Sequence, residues 1–342
     1  MTHTMKPSLS LFDVVERLNA STQLIPLCPS HYQFFSSIPA TIPFLSGFEF
    51  HLSSLHQSCD ALVCILTRDL PGFSRFSAAS HDKSTHLLQA NRASQLLLQS
   101  PNLLCVTDHV WFELDAFPDE SLSLFVGNHS NVQSAVERQL ILNESRNLTS
   151  QWISTLSANP VPLFDFNLGL TKLFSIVPDW HIAEIGIMDR HSSKAHIKLL
   201  LNPPRTYSLS DFVDVYIQIF PNVSSSLITE LASSSLARLL DDSDCHLQLS
   251  LALFQDHMIG ALEVLPLFDS GQVDQYDEFF HSILISCSAL MGCSDLNNQL
   301  YCKTRFADFD SLRFSSRMHH IKLSPGENSW IPKVYRDLRF VD

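Results

Sequence analysis

The sequence predicts an α/β fold of five repeated ααββ units, whose ten antiparallel strands close into a barrel with helices outside. Three observations lead there. Short runs that alternate apolar with other residues, the mark of a half-covered strand, come in five pairs. The pairs begin at residues 48, 110, 182, 246 and 320, a spacing of roughly 60 to 75 residues. One face of these strands is apolar, while the other carries charged, aromatic and histidine side chains.

The elements follow in chain order. The first pair is 48–52 with 61–66, joined by SSLHQSCD, and the segment 85–98 after it has a helical period. The second is 110–115 with 122–126 across the turn-like AFPDES, followed by a helical period over 132–156. The third is 182–188 with 195–201 across DRHSSK. Ser208 and Asp211 then form a capping box before the stripe Phe212, Val215, Tyr216 and Ile219; Pro221 stops that helix, and 227–240 supplies a second. The fourth pair is 246–252 with 259–264 across LFQDHM. Beyond it Phe279, Phe280, Ile283, Cys287 and Leu290 make a helical stripe closed by Gly292, and Ser294 begins another helix. The fifth pair is 320–323 with 333–335 across SPGENSWIP, and each gap between pairs holds two helices. We read residues 1–342 as one such domain.

Composition narrows the function. With 342 residues, 45% of them apolar, and 24 Phe, the chain has ample material for a core. A net charge of −13 with no basic run argues against nucleic acid. No apolar run reaches the roughly 18 residues that span a bilayer, and Asp13 and Glu16 interrupt the start where a signal peptide is uncharged. The eight cysteines form no CxxC pair and read as small apolar side chains in a reducing compartment, so a cytoplasmic protein is expected. With 9 Gly there is no dinucleotide fingerprint, phosphate loop or nucleophile elbow, and no organic cofactor is expected.

The strand faces carry the functional reading. The apolar face holds Phe48, Phe50 and Leu52; Leu122, Leu124 and Val126; Ile197, Leu199 and Leu201; Leu247, Leu249 and Leu251, and the helices cover it. The opposite face carries Glu49, His51, Trp111, Glu113, Asp115, Phe125, Glu184, Met188, His196, Lys198, His246, Gln248, Ser250, His320, Lys322, Lys333 and Tyr335. That mixture suits the lining of a wet cavity inside a wide barrel, although an open sheet with one solvated face, and solvated roles for the individual carboxylates, also fit the pattern. Lys322 and Lys333 come close if the fifth pair is a hairpin, a like-charge contact that a bound anion would relieve.

A ring of five antiparallel strand pairs with helix pairs outside resembles the prenyltransferase barrel, or ABBA fold, of the aromatic prenyltransferases. The resemblance covers nearly the whole chain and rests on element order and facing. It implies an allylic diphosphate held by inward Lys, Arg and Tyr side chains, aromatic residues that shield the carbocation, and an acid near the first strand that takes a proton from an aromatic or peptide acceptor. Glu49 is similar in place to that acid. His196 and Lys198 on the third pair, with Lys322, Lys333 and Tyr335 on the fifth, match diphosphate-binding positions, and Trp111, Phe125 and Tyr335 match the shield. The second pair offers Trp111, Glu113 and Asp115 where the family has cations, so Glu113 and Asp115 are read as ligands of a Mg²⁺ that bridges to the diphosphate. Histidines at 51, 196, 246 and 320 stand where the family often has Tyr. A non-catalytic barrel that binds an apolar or anionic ligand, or a biosynthetic partner, is the alternative.

Other constellations have plainer readings. Asp241, Asp242 and Asp244 resemble the aspartate-rich box of helical terpene enzymes, but five strand pairs contradict an all-helical bundle, and a turn role fits. Asp179 with His181, and His319 with His320, lack a third metal ligand at a telling spacing. Cys302 lies in a polar loop, unlike the late nucleophile of the five-repeat pentein fold.

Overall fold

The computed structural model describes residues 9–19, 29–40, 43, 45–53, 56–79, 85–114, 122–128, 133–156, 166–188, 196–204, 207–241, 245–254, 257–267, 272–290, 303–309, 312–326 and 329–341. Helices α1 (Leu11–Asn19) and α2 (Pro29–Ser36) precede β1 (Leu45–Ser53) and β2 (His56–Leu66). Helices α3 (Leu70–Ala79), α4 (Thr85–Leu98) and α5 (Pro101–Leu104) lead to β3 (Thr107–Leu114) and β4 (Leu122–Asn128). Then α6 (Ala135–Leu156) and α7 (Phe166–Ile176) lead to β5 (His181–Met188) and β6 (His196–Asn202). Next, α8 (Leu209–Ile219), α9 (Ser225–Ser233) and α10 (Ser235–Asp241) lead to β7 (Cys245–Leu253) and β8 (Met258–Pro266). Last come α11 (Val273–Leu290), β9 (Arg305–Phe309), β10 (Leu312–Pro325) and β11 (Trp330–Val341).

The sheet closes. Strands β1 to β8 join antiparallel in chain order, β8 pairs with β10, β10 with β11, and β11 returns to β1, which makes a continuous ring of ten strands. Its outer face is the apolar one. Ile197, Leu199 and Leu201 on β6 and Leu247, Leu249 and Leu251 on β7 are 0–2% exposed. They share one apolar cluster with Phe212 and Tyr216 of α8 and Phe279, Phe280 and Ile283 of α11. Leu122, Leu124 and Val126 on β4 pack in a second cluster with Phe73, Leu87 and Trp152 from α3, α4 and α6. Each such aliphatic side chain contributes about 1.5–3 kcal/mol by leaving water, which fixes the apolar faces outward beneath the helices and the polar ones inward.

Buried hydrogen bonds pin the jacket to the ring. Gln133 both donates to and accepts from the backbone of Ile182, at 2.9 and 3.0 Å, which holds the start of β5. Tyr216 of α8 donates its hydroxyl to the carbonyl of Gly260 on β8 at 2.9 Å, and a Cβ at Gly260 would collide with the Phe220 ring beside it. Trp330 Nε1 donates to the carbonyl of Leu227 at 3.0 Å, joining β11 to α9.

Several expectations need correction. The ten expected strands form the ring, and an eleventh was not expected: β9 pairs with the early half of β10, at Leu312–Ser316, whereas β8 occupies only Ile321–Leu323 of the same strand. The expected fifth pair, 320–323 with 333–335, is the turn-proximal part of a much longer one, 312–325 with 330–341, because the Ser- and Arg-containing stretch before it pairs through its backbone without clean alternation. In the first pair β2 begins at His56, inside the expected loop, and pairs residue for residue with β1 from there. The single helix expected over 227–240 is two helices, broken at Ser234, which is extended (φ −73°, ψ 163°) and accepts a hydrogen bond from Ala237 N at 3.2 Å. Among the described residues two helices precede β1 and two follow β4, whereas three follow β2 and three follow β6. The Ser208 cap accepts from Asp211 N at 3.1 Å as expected, while Gly292, Ser294, Asp242, Ser243, Asp244 and Cys302 lie outside the described residues.

Candidate active site

The inner face of the ring encloses a cavity of about 290 Å³. Trp111, Glu113, Phe125, Glu184, Lys198, Gln248, Ser250, His320, Lys322 and Tyr335, all expected on the inner face, border it. One wall is built by two rows that run across β3, β4, β5 and β6. In the first, Trp111 pairs with Phe125, Phe125 with Gly186 and Gly186 with Lys198. Gly186 has no side chain, so the Phe125 ring lies over it; a Cβ there would collide with the ring. The Lys198 ammonium thereby comes to 5.2 Å from the Phe125 ring centre, a cation–π contact.

The second row repeats the device. His109 pairs with Gly127, and Gly127 with Glu184. The imidazole extends over Gly127, where a Cβ would overlap the ring, and reaches Glu184 two strands away at 3.1 Å (Nε2 to Oε1). Burial is the largest single influence on His109 and disfavours its charged form. The hydrogen bond and charge of Glu184, with Asp108 at 3.8 Å, together outweigh burial and hold the pKa above its ordinary value. The His109 ring also meets Trp111 edge-on at 6.0 Å.

The opposite wall comes from β7, β8, β10 and β11. Lys322 Nζ lies 3.1 Å from Glu263 Oε1 and donates to Ser250 Oγ at 2.6 Å. His320 Nε2 is 3.7 Å from the other oxygen of Glu263, and its ring stacks on Tyr335 with centres 3.7 Å apart. His319 Nδ1 and His320 Nδ1 are 2.7 Å apart. Below them Arg317 Nε is 3.5 Å from Asp337 Oδ2, and Arg336 Nε donates to Ser316 Oγ at 2.6 Å. Register breaks fall between Thr107 and His109, Ile182 and Glu184, and Met318 and His320. Each delivers a titratable side chain to the cavity, the re-aiming that bulges produce beside functional sites.

The remaining residues named from sequence are distributed as follows. Glu49 pairs with Tyr335 across β1–β11 and with Asp60 across β1–β2, but its side chain, like those of His51 and His196, lies outside what is described. Asp115 lies outside the described residues altogether. Lys333 pairs with Lys322 and with His51, as a hairpin requires, yet does not border the cavity. The like-charge pair expected to hold an anion has a resident carboxylate instead, Glu263. Met188 is buried away from the cavity, and His246 also lies off it, close enough to His181 that their charges repel. Burial first, and for His181 this repulsion second, hold both imidazoles below the ordinary value.

Sequence reasoning missed His109, Asn202, His319, Arg336 and Asp337 as bordering residues. His109 was within reach, since it is in phase with Trp111 and Glu113 on one strand; the others depend on bulges or on which strands meet. For Mg²⁺, Glu113 is 2% exposed on the wall, and the described residues contain no group of three His, Cys, Asp or Glu side chains that could hold a metal. Mg²⁺ prefers an octahedron of oxygens with several waters. Glu113 can supply one such oxygen beside a diphosphate, while Asp115, the other expected ligand, lies outside the described residues.

No protein-family model and no curated protein matches the sequence. Solved structures do match the fold. A 6-dimethylallyl tryptophan synthase is 13% identical, with 96% of each chain covered and a TM-score of 0.53. The enzyme of that name from Micromonospora olivasterospora, solved with DMASPP and Trp, is 12% identical over 96% of this chain and 97% of that one, with a TM-score of 0.48. AnaPT from Neosartorya fischeri is 10% identical over 95% and 91%, with a TM-score of 0.47. With its ten-stranded antiparallel ring, outer helices and polar lumen, the chain has the prenyltransferase-barrel fold.

Proposed function

We propose that the chain is a prenyltransferase, moving an allylic prenyl group from its diphosphate to an aromatic or peptide acceptor inside the barrel. One observation carries the reading: the Lys198 ammonium sits beside the Phe125 ring in a cavity on the inner face of the ring that Trp111 and Tyr335 also border. Ionisation of an allylic diphosphate separates an anion from a carbocation, and the site must hold both. Lys198, Lys322, His196 and Tyr335 would hold the diphosphate as the C–O bond breaks. The faces of Trp111, Phe125 and Tyr335 would stabilise the cation until the acceptor carbon bonds to it. The acceptor's proton would then pass to Glu49, the register neighbour of Tyr335.

The test is calorimetric titration with the thiolo-diphosphate analogue of dimethylallyl diphosphate, with and without Mg²⁺. Binding is expected, and Lys198→Ala and Lys322→Ala, both on the cavity wall, should each weaken it by about 1–3 kcal/mol. No binding in either condition overturns the transferase reading; unchanged affinity in both variants overturns the assignment of residues. A second reading is a non-catalytic barrel for an apolar or anionic ligand. It is favoured by the carboxylates Glu113, Glu184, Glu263 and Asp337 on the wall, of which Glu263 already faces Lys322. Analogue binding without turnover of dimethylallyl diphosphate against any aromatic acceptor would support it. No helix among the described residues is long and apolar enough to cross a membrane.

A further inference from the structure

We infer that His319 and His320 are a proton-coupled part of the diphosphate site, becoming cationic by taking up one proton as the anion binds. This rests on the reading that the chamber binds an allylic diphosphate. Strand alternation would send two consecutive side chains to opposite faces, but the bulge between Met318 and His320 turns both to the cavity. The bulge is itself held: Tyr276 of α11 donates its hydroxyl to the carbonyl of Met318, with that of His319 at 3.4 Å.

The contact between the two rings limits their protonation. With the Nδ1 atoms 2.7 Å apart, one must carry the hydrogen and the other the lone pair. One added proton leaves that bond intact and makes it charge-assisted; a second would set two N–H groups against each other. The pair is therefore a one-proton device. The groups that contact it or border the same cavity are Glu263 from β8; Gln248 and Ser250 from β7; Lys322 on its own strand; Tyr335, Arg336 and Asp337 from β11; and, at the bulge, Tyr276 from α11. The Tyr335 face beneath His320 suits an imidazolium.

Charge balance supplies the need. Among the described residues bordering the cavity, Glu113, Glu184, Glu263 and Asp337 stand against Lys198, Lys322 and Arg336. Glu263 sits on Lys322, and His109 sits on Glu184. A diphosphate thus enters a chamber without surplus positive charge, and a binding event that adds negative charge draws protons onto the nearest groups able to accept one. His319 and His320 are such groups, on the wall beside Lys322 and Tyr335.

The experiment is calorimetric titration of the full chain, free of metal, with the dimethylallyl thiolo-diphosphate analogue at about pH 7.5 in two buffers of different ionisation enthalpy. The wild type should take up about one proton more per site than His320→Gln or His319→Gln, so that protonation of the analogue itself cancels in the comparison. The variants should bind about tenfold more weakly near pH 6.5 and approach the wild type near pH 9. Ring ¹⁵N spectra of the wild type should show one of the two imidazoles becoming charged when the analogue is added, a readout that does not depend on the variants folding. Analogue binding with an equal proton count and unchanged ring spectra overturns this inference and leaves the transferase reading standing. No analogue binding at any pH, with or without Mg²⁺, overturns both.

Discussion

Replacing Gly127 with alanine tests how the His109–Glu184 couple is built. The added methyl group would overlap Nε2, Cε1 and Cδ2 of His109, so the ring must leave its place over β4 and give up Glu184. A hydrogen bond to a charged group contributes about 1.5–3 kcal/mol. Both side chains are 25% exposed, and solvent screening moves the figure to the lower end of that range. Alanine returns about 0.5–1 kcal/mol through a less disordered unfolded chain, which leaves a net loss of about 0.5–1 kcal/mol. The pH dependence follows from the raised His109 pKa. A base whose folded-state value exceeds its ordinary 6.5 stabilises the protein fully below that value and loses the contribution as pH rises through the folded-state one. Urea unfolding of Gly127→Ala and wild type should therefore differ more near about pH 5.5 than near about pH 8.5. An equal difference at both, or an unshifted His109 ring signal in the variant, would refute the glycine-window account.

Other substitutions probe the remaining contacts. Gln133→Ala leaves the buried N–H of Ile182 without its side-chain partner, while Asn128 Nδ2 still donates to the carbonyl at 3.1 Å, and should cost about 1–3 kcal/mol in urea unfolding, against little for an exposed neighbour such as Gln139→Ala. Tyr216→Phe removes the buried bond to Gly260 and should cost about 1–3 kcal/mol with no change in the number of bound analogue molecules. Burial pushes the Cys287 thiol up to about 12, whereas Cys105 is exposed, so iodoacetamide near about pH 8 should alkylate Cys105 in the folded protein and spare Cys287, as peptide mass mapping would register. His181 and His246 have folded-state values below the ordinary one, so they destabilise the protein as pH falls below about 6.5. His181→Gln should flatten that acid limb of the stability curve, and an unchanged limb would remove the pair from the account.

Much of the fold is legible in the sequence because strand facing and helix stripes are local. The run Ile197, Leu199, Leu201 has one buried side whatever it pairs with, and so does Leu247, Leu249, Leu251; both lie under helices in the ring. The capping Ser208 and the stripe from Phe279 to Leu290 are likewise properties of one segment. The candidate site was legible only in part. Lys198, Lys322, Trp111, Phe125 and Tyr335 were named from alternation and do border the cavity. Lys333 obeys the same alternation but sits off the cavity, since position along the barrel axis is not encoded in a two-residue period.

By itself, then, the sequence determined the order of the units and which face of each strand turns to the helices, because both follow from apolar spacing within short stretches. Only the tertiary structure decided how the charges are matched. Lys322 meets Glu263, and His109 reaches Glu184, over separations that no local pattern spans. Gly127 and Gly186 acquire their roles from what lies across the sheet, and a bulge in the β10–β11 pairing turns His319 and His320 to the same side. The strand pairings themselves place particular side chains opposite one another, and that register arises only when the ring has closed.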